Sequence, residues 1–213
     1  MTAARRRHRG HRPGRHGNPP KLRAFLARME APDRGRWQRP ARVVRALGLR
    51  RGQTACEIGA GSGYFALRLA RAVGPRGRVF AVEAEPRILE VLGRRVQRAR
   101  ARNVTPVLAL DDDPLLPAAC CDLALLVNTY HHFADGPAYL RKLARALRPG
   151  GRIVTVDFHR KRTPVGPPVE HRVARDAFLA DARRAGLVPV AELDLLPYQY
   201  FVVLRPRRRR APA

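Results

Sequence analysis

The sequence predicts an open α/β sheet of seven strands, covered by helices on both faces, whose last two strands form an antiparallel pair. Short apolar runs alternate with stretches of helical periodicity along the middle of the chain, which is typical of parallel strands joined by helices. The run at residues 122–127 is almost wholly apolar, as expected of a strand buried on both faces. The length of 213 residues suits one main domain with tails.

The first half of the chain predicts three strands and the helices that connect them. Residues 22–49 are expected to form one or two short helices, interrupted around residues 32–40 and ended by Gly48. A helix at residues 63–73 ends at a Gly-Pro pair, and Pro86 opens the next one, because proline is tolerated at the first helical position. The three strands are expected at residues 54–58, 78–82 and 104–108.

The second half of the chain predicts four more strands. The apolar strand at residues 122–127 precedes a helix with leucines at helical spacing. A Pro-Gly-Gly turn then leads into a strand at residues 153–156. After a proline-rich stretch, a helix over about residues 171–185 stops at Gly186. The last two strands, which are expected to pair antiparallel, are residues 187–193 and 198–204.

The charge of the chain is strongly unbalanced. Lysine and arginine number 43 against 17 aspartate and glutamate, which gives a formal net charge of +26. Basic residues crowd both ends, so residues 1–20 are predicted to form a disordered basic arm and residues 205–213 a basic tail, on either side of one domain at 21–204. Two explanations stay open: GC-rich coding that favours arginine, or attraction to a polyanion such as RNA, DNA or acidic lipid.

The chain has three cysteines, of which Cys120 and Cys121 are adjacent. They cannot make a disulfide framework and lack the CxxC spacing of a metal site. A reducing, cytoplasmic location without a bound metal is therefore expected, and the adjacent pair is expected to be core. No stretch approaches 18 uncharged apolar residues, and the first 20 residues lack the apolar segment of a signal peptide. Neither a membrane span nor Sec-type export is predicted.

The stretch from Glu57 to Gly63 is the most informative in the chain, because it sits where a strand turns into a helix. Its glycines, Gly59, Gly61 and Gly63, alternate along the chain and let the backbone approach a ligand closely. Amide N–H groups at a helix start suit a carboxylate or another anionic group. A dinucleotide fingerprint needs its third glycine one residue later, and no lysine follows as in a phosphate loop, so a pyrophosphate cradle is the weaker interpretation.

This E-x-G-x-G-x-G pattern resembles motif I of the class I S-adenosylmethionine (SAM)-dependent methyltransferases. The resemblance covers about residues 40–204 and is closest to small-molecule enzymes of the ubiquinone- and menaquinone-biosynthesis type. Residues 121–128 resemble the family's fourth strand, and residues 147–153 resemble its L-x-P-G-G turn. The resemblance implies a Rossmann-like seven-stranded sheet and SAM as the cofactor. It also implies a donor site that includes Glu57, Gly59, Ala60, Gly61 and Gly63.

The resemblance further implies two acidic contacts to the donor. In this family an acid at the end of the second strand holds the ribose hydroxyls, and Glu83 lies 20 residues after Gly63. Two carboxylate oxygens can accept hydrogen bonds from two vicinal hydroxyls. A second acid, after the third strand, lies near the adenine amino group; spacing back from Pro117 favours Asp112, with Asp111 as the alternative. A polar loop that only caps the following turn is the other interpretation.

The end of the fourth strand is expected to face the methyl-donor pocket, because ligands lie beyond the carboxyl ends of the strands in open α/β sheets. Asn128 follows that strand and is implied to line the space beside the sulfonium. His131 or His132 is the candidate general base, since imidazole titrates near neutral pH. Adjacent histidines cannot point both rings the same way, so one is expected to pack or to cap the next helix. Residues 157–159 and 164–171 are expected to shape the acceptor pocket.

Three functions remain open from the sequence alone. The first is a cytoplasmic methyltransferase that acts on a small molecule, at oxygen or carbon. Methylases of nucleobase amino groups carry a [D/N]-P-P-[Y/F] group after strand four, whereas Asn128 is followed here by Thr-Tyr-His-His. The second is a methyltransferase whose acceptor is RNA or a ribosomal protein, held by the basic surface. The third is a non-catalytic SAM-fold protein that binds nucleic acid.

Overall fold

The computed structural model describes residues 22–207, which form one seven-stranded sheet and its helices. The predicted basic arm at residues 1–20 and the tail residues 208–213 lie outside the described part. The strands are β1 Thr54–Ile58, β2 Arg78–Glu83, β3 Val104–Leu108, β4 Cys121–Val127, β5 Leu147–Phe158, β6 Leu187–Glu192 and β7 Gln199–Pro206. Their order in the sheet is β3-β2-β1-β4-β5-β7-β6, which confirms the predicted fold class.

Seven α-helices accompany the sheet within residues 22–207. They are α1 Leu22–Met29, α2 Arg34–Gln38, α3 Pro40–Ala46, α4 Ala66–Val73, α5 Pro86–Arg98, α6 Gly136–Ala146 and α7 Arg175–Arg184. The segment predicted to be interrupted holds α2, and α4 begins later than predicted because Gly63 has a φ of +87°, outside the helical region. The 3-10 turn Val169–His171 ends where the last helix was predicted to begin, and α7 starts four residues later at Arg175. None of these helices is long and apolar enough to cross a membrane.

Strands β1 to β5 run parallel to one another, whereas β7 pairs antiparallel with both β5 and β6. The predicted antiparallel pair at the end of the chain is therefore confirmed. The chain moves outward from β1 through β2 to β3 and then returns to the other side of β1 as β4. Such a reversal leaves a crevice at the carboxyl ends of β1 and β4, which is the usual ligand site of an open α/β sheet.

Both faces of the sheet are buried, as the apolar run at residues 122–127 predicted. Along β4, Leu123 and Leu125 pack on one face and Ala124 and Leu126 on the other, and all four are fully buried. Side chains of α3, α4 and α5 pack on the first face, and those of α6 and α7 on the second. Helices on both faces hold the strand ends in fixed positions, so the groups that follow those ends are also well placed.

The last strand runs past the predicted domain boundary at residue 204. Arg205 and Pro206 continue β7, where they pair with Val188 and Leu187 of β6. The strand therefore ends two residues beyond that boundary. The run of arginines predicted a frayed tail from Arg205 onward. Backbone pairing instead keeps Arg205 in the strand, because the hydrogen bonds of a β-ladder do not depend on the charge of the side chain.

Candidate functional site

A cavity of about 750 Å³ opens at the carboxyl ends of β1, β2 and β4. It lies where the reversal of strand order places a ligand. Its walls bring together eight residues that the sequence singled out, namely Glu57, Gly59, Ala60, Glu83, Asp111, Asn128, His131 and His132. Three other predicted site residues, Gly61, Gly63 and Asp112, are not part of the wall.

The glycines after β1 shape one wall of this cavity. Gly59, Gly61 and Gly63 have φ values of +69°, +56° and +87°, which residues with a side chain rarely adopt. A Cβ on Gly59 would lie 2.5 Å from Thr129 Oγ1, and a Cβ on Gly63 would lie 2.6 Å from Leu92 Cδ1. Gly61 and Gly63 thus form the turn without lining the cavity, whereas Gly59 does both.

Gly59→Ala is expected to destabilise the domain more than Gly150→Ala. Both glycines have a positive φ, so each alanine costs about 1–2 kcal/mol of backbone strain. At Gly59 the new methyl group also meets the buried Thr129, which adds about 1–3 kcal/mol of overpacking. A Cβ on Gly150 meets nothing within 4 Å, which makes it the matched control. Urea denaturation measures the two losses, and equal losses would contradict the tight turn.

The Glu83 carboxylate sits beside the glycine turn at the end of β2. Its Oε2 accepts a hydrogen bond from the Gly61 N–H at 2.8 Å, and its Oε1 accepts from the N–H groups of Ala84 and Glu85 at 3.0 and 3.1 Å. These three bonds fix the carboxylate in the cavity wall, where burial raises the pKa of Glu83. A carboxylate held in this way suits a ligand with two neighbouring hydroxyls.

Glu57 is the most deeply buried carboxyl group of the cavity wall, with 3% of its surface exposed. Its Oε2 has no hydrogen-bond partner among the described residues. Burial raises the pKa of Glu57 to about 8, although the nearby Arg34 guanidinium acts in the opposite direction. An unpaired buried oxygen costs free energy, so this position favours a ligand that donates a hydrogen bond to it.

The raised pKa of Glu57 is expected to make the domain less stable as pH rises. Glu57 keeps its proton up to about pH 8 in the folded chain, against an ordinary pKa of 4.5, so the folded state binds the proton more tightly between these values. Glu57→Gln removes this contribution. Across that range the free energy of unfolding of the wild type should fall relative to Glu57→Gln, by up to about 1.4 kcal/mol per pH unit. Urea denaturation of both proteins across the range measures this; a constant difference would contradict it.

The aspartates after β3 lie in different environments. Both Asp111 and Asp112 are exposed; Asp111 lines the cavity, whereas the Oδ2 of Asp112 lies 3.2 Å from Lys142 Nζ. Of the two candidates for the contact near adenine, Asp111 lines the cavity and Asp112 does not. The cause is a tight turn, closed by the Leu110 N–H and the Asp113 carbonyl at 2.9 Å, which spacing along the sequence did not reveal.

His131 pairs with a buried aspartate from the neighbouring strand. Its Nδ1 lies 3.1 Å from Asp157 Oδ2, and the two side chains are 5% and 0% exposed. Asp157 Oδ1 also accepts the Phe158 N–H at 2.8 Å, which holds the carboxylate in place. A carboxylate at Nδ1 keeps the proton on that nitrogen and leaves Nε2 as an acceptor. His132, whose ring centroid lies 4.1 Å from that of His131, is exposed, so His131 is the better placed base.

Asn128 connects the cavity to the N-terminal helices. Its φ is +55°, and its Oδ1 accepts a hydrogen bond from Gln199 Nε2 at 2.6 Å. Gln199 Oε1 accepts in turn from Gln38 Nε2 at 2.9 Å, and Gln38 Oε1 accepts from Arg34 Nε at 2.9 Å. A buried polar chain thus runs from α2 to the end of β4 and fixes the orientation of the Asn128 side chain.

Side chains of α1 and α2 form a cover over the cavity, which the sequence did not indicate. Phe25 and Met29 of α1 line the cavity, together with Arg34 and Trp37 of α2. Arg34 is only 7% exposed, and its guanidinium lies 3.9 Å from the centre of the Tyr64 ring. A short helix with little buried surface gives no sequence signal of its own, so only the tertiary structure places these residues at the site.

The proline-rich segment after β5 also lines the cavity, as predicted for residues 164–171. Gly166, Pro167 and Pro168 form part of the wall, and a Cβ on Gly166 would lie 2.6 Å from Phe158 Cε1. Phe158 also lines the cavity. Asp157 does not line it, but pairs with His131, which does. Sequence reasoning missed that pairing, although an acid at the end of the strand next to β4 is a signal for it.

The fold and the site together define a class of protein. A Rossmann-like sheet, a glycine turn after β1 and a fixed carboxylate at the end of β2 form a nucleoside-binding crevice of the type found in class I methyltransferases. The residues fit SAM on three observations of this chain: a turn with no room for Cβ atoms, the Glu83 carboxylate fixed beside that turn in the cavity wall, and the unpaired Glu57 Oε2.

Comparison with known proteins agrees with that class. A family model described as a methyltransferase domain matches residues 55–151. A protein-L-isoaspartate O-methyltransferase of Methanothrix thermoacetophila is 37% identical over 108 residues, which covers 51% of this chain and 49% of the relative. A 2-phytyl-1,4-naphtoquinone methyltransferase of Nostoc punctiforme is 34% identical over 119 residues, which covers 53% of this chain and 50% of the relative. The chain thus spans about half the length of these curated relatives.

A solved structure shares the fold over most of the chain. The crystal structure of a SAM-dependent methyltransferase from Aquifex aeolicus superposes with a TM-score of 0.81 at 21% identity, covering 85% of this chain and 96% of that one. The family model identifies a methyltransferase domain at residues 55–151, and the described chain has the fold of a SAM-dependent methyltransferase.

Proposed function

We propose that this protein transfers the methyl group of SAM to a proton-bearing oxygen or carbon of a small molecule. The observation that supports this best is a single cavity that joins the glycine turn and Glu83 to His131, the partner of Asp157. A donor held beside the glycine turn and an acceptor deprotonated at His131 meet within one cavity, so positioning supplies much of the rate acceleration.

The part of the cavity beside the glycine turn is assigned to the donor, SAM. Glu83 accepts hydrogen bonds from both ribose hydroxyls, and Asp111 faces the adenine amino group. Gly59 and Ala60 bring the backbone close to the donor. The unpaired Glu57 Oε2 accepts a hydrogen bond from the ammonium group of the donor, which is the partner that this buried oxygen lacks. When bound, SAM supplies a methyl carbon activated by a positively charged sulfur.

His131 acts as the general base in this proposal. Asp157 keeps a proton on Nδ1, so Nε2 accepts the proton that the acceptor's hydroxyl or acidic carbon gives up. Asp157 also stabilises the imidazolium that this transfer creates, because its carboxylate is buried beside the ring. Asp157 is thus a positioning residue, and His131 is the group that touches the acceptor.

The walls of the cavity favour a compact and largely apolar acceptor. Several aromatic side chains line the cavity, among them Phe25, Trp37, Phe133, Tyr139 and Phe158. Apolar walls with few polar groups are typical of small-molecule sites. One relative is named for a naphthoquinone acceptor, which supports an aromatic acceptor of this size.

Transfer from methyl-labelled SAM tests the proposal. The full-length protein is incubated with labelled SAM and fractionated cell extract, and the label is followed into lipid-soluble molecules, small polar molecules, RNA and protein. Label in a small-molecule fraction that is lost with His131→Gln is the expected result. Label found only in RNA or protein would overturn the small acceptor. SAM binding without transfer to any fraction would favour a non-catalytic protein.

Asp111→Ala is expected to weaken SAM binding, whereas Asp112→Ala is not. Loss of one charge-assisted hydrogen bond at Asp111 corresponds to about 1–2 kcal/mol, or a roughly 5- to 30-fold higher Kd. Asp112 is bonded to Lys142 outside the cavity wall, so it serves as the matched control. Isothermal titration calorimetry with SAM compares the two variants. A larger effect at Asp112 would restore the assignment that spacing favoured.

A macromolecular acceptor is the second candidate, and a basic cleft supports it. The cleft has a volume of about 450 Å³ and is lined by Arg50, Arg152 and Arg205. Arginines around a cleft suit the phosphate groups of RNA, and the net charge of +26 adds long-range attraction. The cleft also contains Asp122, at the amino end of β4, so RNA held there has to extend around the sheet to reach the donor cavity.

We keep the cytoplasm as the proposed location. All three cysteines of the chain are free, and Cys56 and Cys121 are buried without a disulfide. Free cysteines are typical of reducing compartments. Localisation of the full-length protein with a fluorescent tag tests this assignment.

A further inference from the structure

The side chains of the three cysteines lie close together in the folded structure. Cys56 lies in the middle of β1, whereas Cys120 and Cys121 stand at the start of β4, far along the sequence. Their sulfur atoms all lie within 4.8 Å of one another. We call Cys56, Cys120 and Cys121 the thiol triad. The sequence showed no metal-type spacing because one of the three donors comes from a different strand.

A register irregularity brings adjacent cysteines to the same place. Side chains alternate between the two faces along a regular strand. Ala124 is the register partner of Cys56 and packs on the same face, so strict alternation would place Asp122 on that face and Cys121 on the other. The register shift at the start of β4 turns Cys121 onto the face of Cys56, and Cys120 precedes the strand and approaches from its end.

We infer that the thiol triad binds a soft, thiophilic cation, Cu(I), through its three sulfur atoms. Soft thiolate ligands select Cu(I) over hard cations. Structural Zn²⁺ sites are almost always four-coordinate, whereas the triad offers three donors, and no histidine or carboxylate of the described residues completes the group. Three-coordinate sulfur ligation is a common geometry of Cu(I).

Cys120 gives the cation access to the triad. It is half-buried, whereas Cys56 and Cys121 are fully buried. Binding forms Cu–S bonds, breaks S–H bonds and releases the protons to solvent, with no change in the oxidation state of copper or sulfur.

The triad is separate from the donor cavity. None of its residues lines that cavity, and Cys121 pairs with Leu147 at the amino end of the β4–β5 ladder, opposite the strand ends that hold the site. Binding of Cu(I) is therefore testable without SAM or an acceptor, and its outcome is independent of the proposed methyl transfer.

Competition with a chromophoric Cu(I) chelator tests the inference on the full chain under anaerobic conditions. The wild type is expected to withdraw one Cu(I) per chain from the chelator. Cys120→Ala should lower the affinity at least about 100-fold, since losing even an outer-shell partner of a metal ligand costs about 10- to 100-fold. Cys120→Ala keeps every histidine and methionine, so it also measures binding by those residues. Equal withdrawal by the two proteins would overturn the site.

Two further measurements keep the test decisive if Cys120→Ala folds poorly. Circular dichroism first checks that each variant is folded, and Cys120→Ser provides a variant of nearly the same size. On the wild type, Cu(I) should protect Cys120 from alkylation by iodoacetamide, as read by peptide mass spectrometry, and X-ray absorption should show sulfur ligands around copper. Alkylation at an unchanged rate, or oxygen and nitrogen ligands only, would overturn the inference.

Discussion

Asp157→Asn is expected to lower kcat for methyl transfer to a proton-bearing acceptor by about 10²- to 10⁴-fold, the range that general base catalysis supplies. The Asp157 carboxylate lies 3.1 Å from His131 Nδ1 and selects the tautomer that leaves Nε2 free to accept a proton. An asparagine amide can donate to Nδ1 instead, which favours the proton on Nε2 and removes the base. Steady-state kinetics over a range of pH measure the loss.

The Kd for SAM separates this role from a structural one. Asp157→Asn and His131→Gln should both lower kcat, because each removes the base from the chemical step. The Kd for SAM should stay unchanged in both variants. Asp176→Asn is the matched control, because the Asp176 side chain is 88% exposed. If Asp157→Asn keeps the wild-type kcat, the pair is not the base.

Glu83→Ala is expected to raise the Kd for SAM by about 5- to 150-fold, which corresponds to about 1–3 kcal/mol for a lost hydrogen bond and its unpaired partners. The carboxylate has two tasks in this site. It is placed to accept the ribose hydroxyls, and it also holds the N–H groups of Gly61, Ala84 and Glu85. Removing it leaves the ligand without an acceptor and loosens the turn that shapes the cavity.

Glu83→Gln and Glu90→Gln sharpen this experiment. Glu83→Gln keeps the size of the side chain but turns one acceptor into a donor, which then faces an N–H group, so most of the loss in affinity should remain. Glu90 lies on α5 with its side chain 66% exposed and paired to Arg94, and Glu90→Gln should leave the Kd unchanged. Calorimetry with SAM gives all the values. An unchanged Kd in Glu83→Ala would remove Glu83 from the donor site.

The donor half of the site was largely predictable because its residues lie close together along the chain. The turn after β1 and the acid after β2 follow strands whose positions the apolar pattern predicted, at residues 54–58 and 78–82. Parallel strands in register place their carboxyl ends side by side, so two motifs at two strand ends become neighbours. Spacing after β3 favoured Asp112, whereas Asp111 is the residue that lines the cavity, because a tight turn decides which side chain faces it.

The acceptor half was less predictable because it depends on contacts between distant segments. His131 was a candidate base by position, but its partner Asp157 lies on another strand, and only the pairing of β4 with β5 brings them together. The cover formed by α1 and α2 rests on a chain of hydrogen bonds from Arg34 to Asn128 through two glutamines. No local sequence pattern in residues 22–38 predicts this series of hydrogen bonds.

The sequence by itself determined the seven-stranded sheet, the glycine turn and the acids that follow β2 and β3, because hydrophobic period and turn chemistry act over a few neighbouring residues. Only the tertiary structure decided which aspartate lines the cavity and which histidine has a carboxylate partner. It also decided that the side chains of the three cysteines lie close together. Those outcomes depend on strand register and, at Cys121, on a register shift that moves the side chain to the other face of the sheet. Both are properties of how strands pair rather than of any one strand.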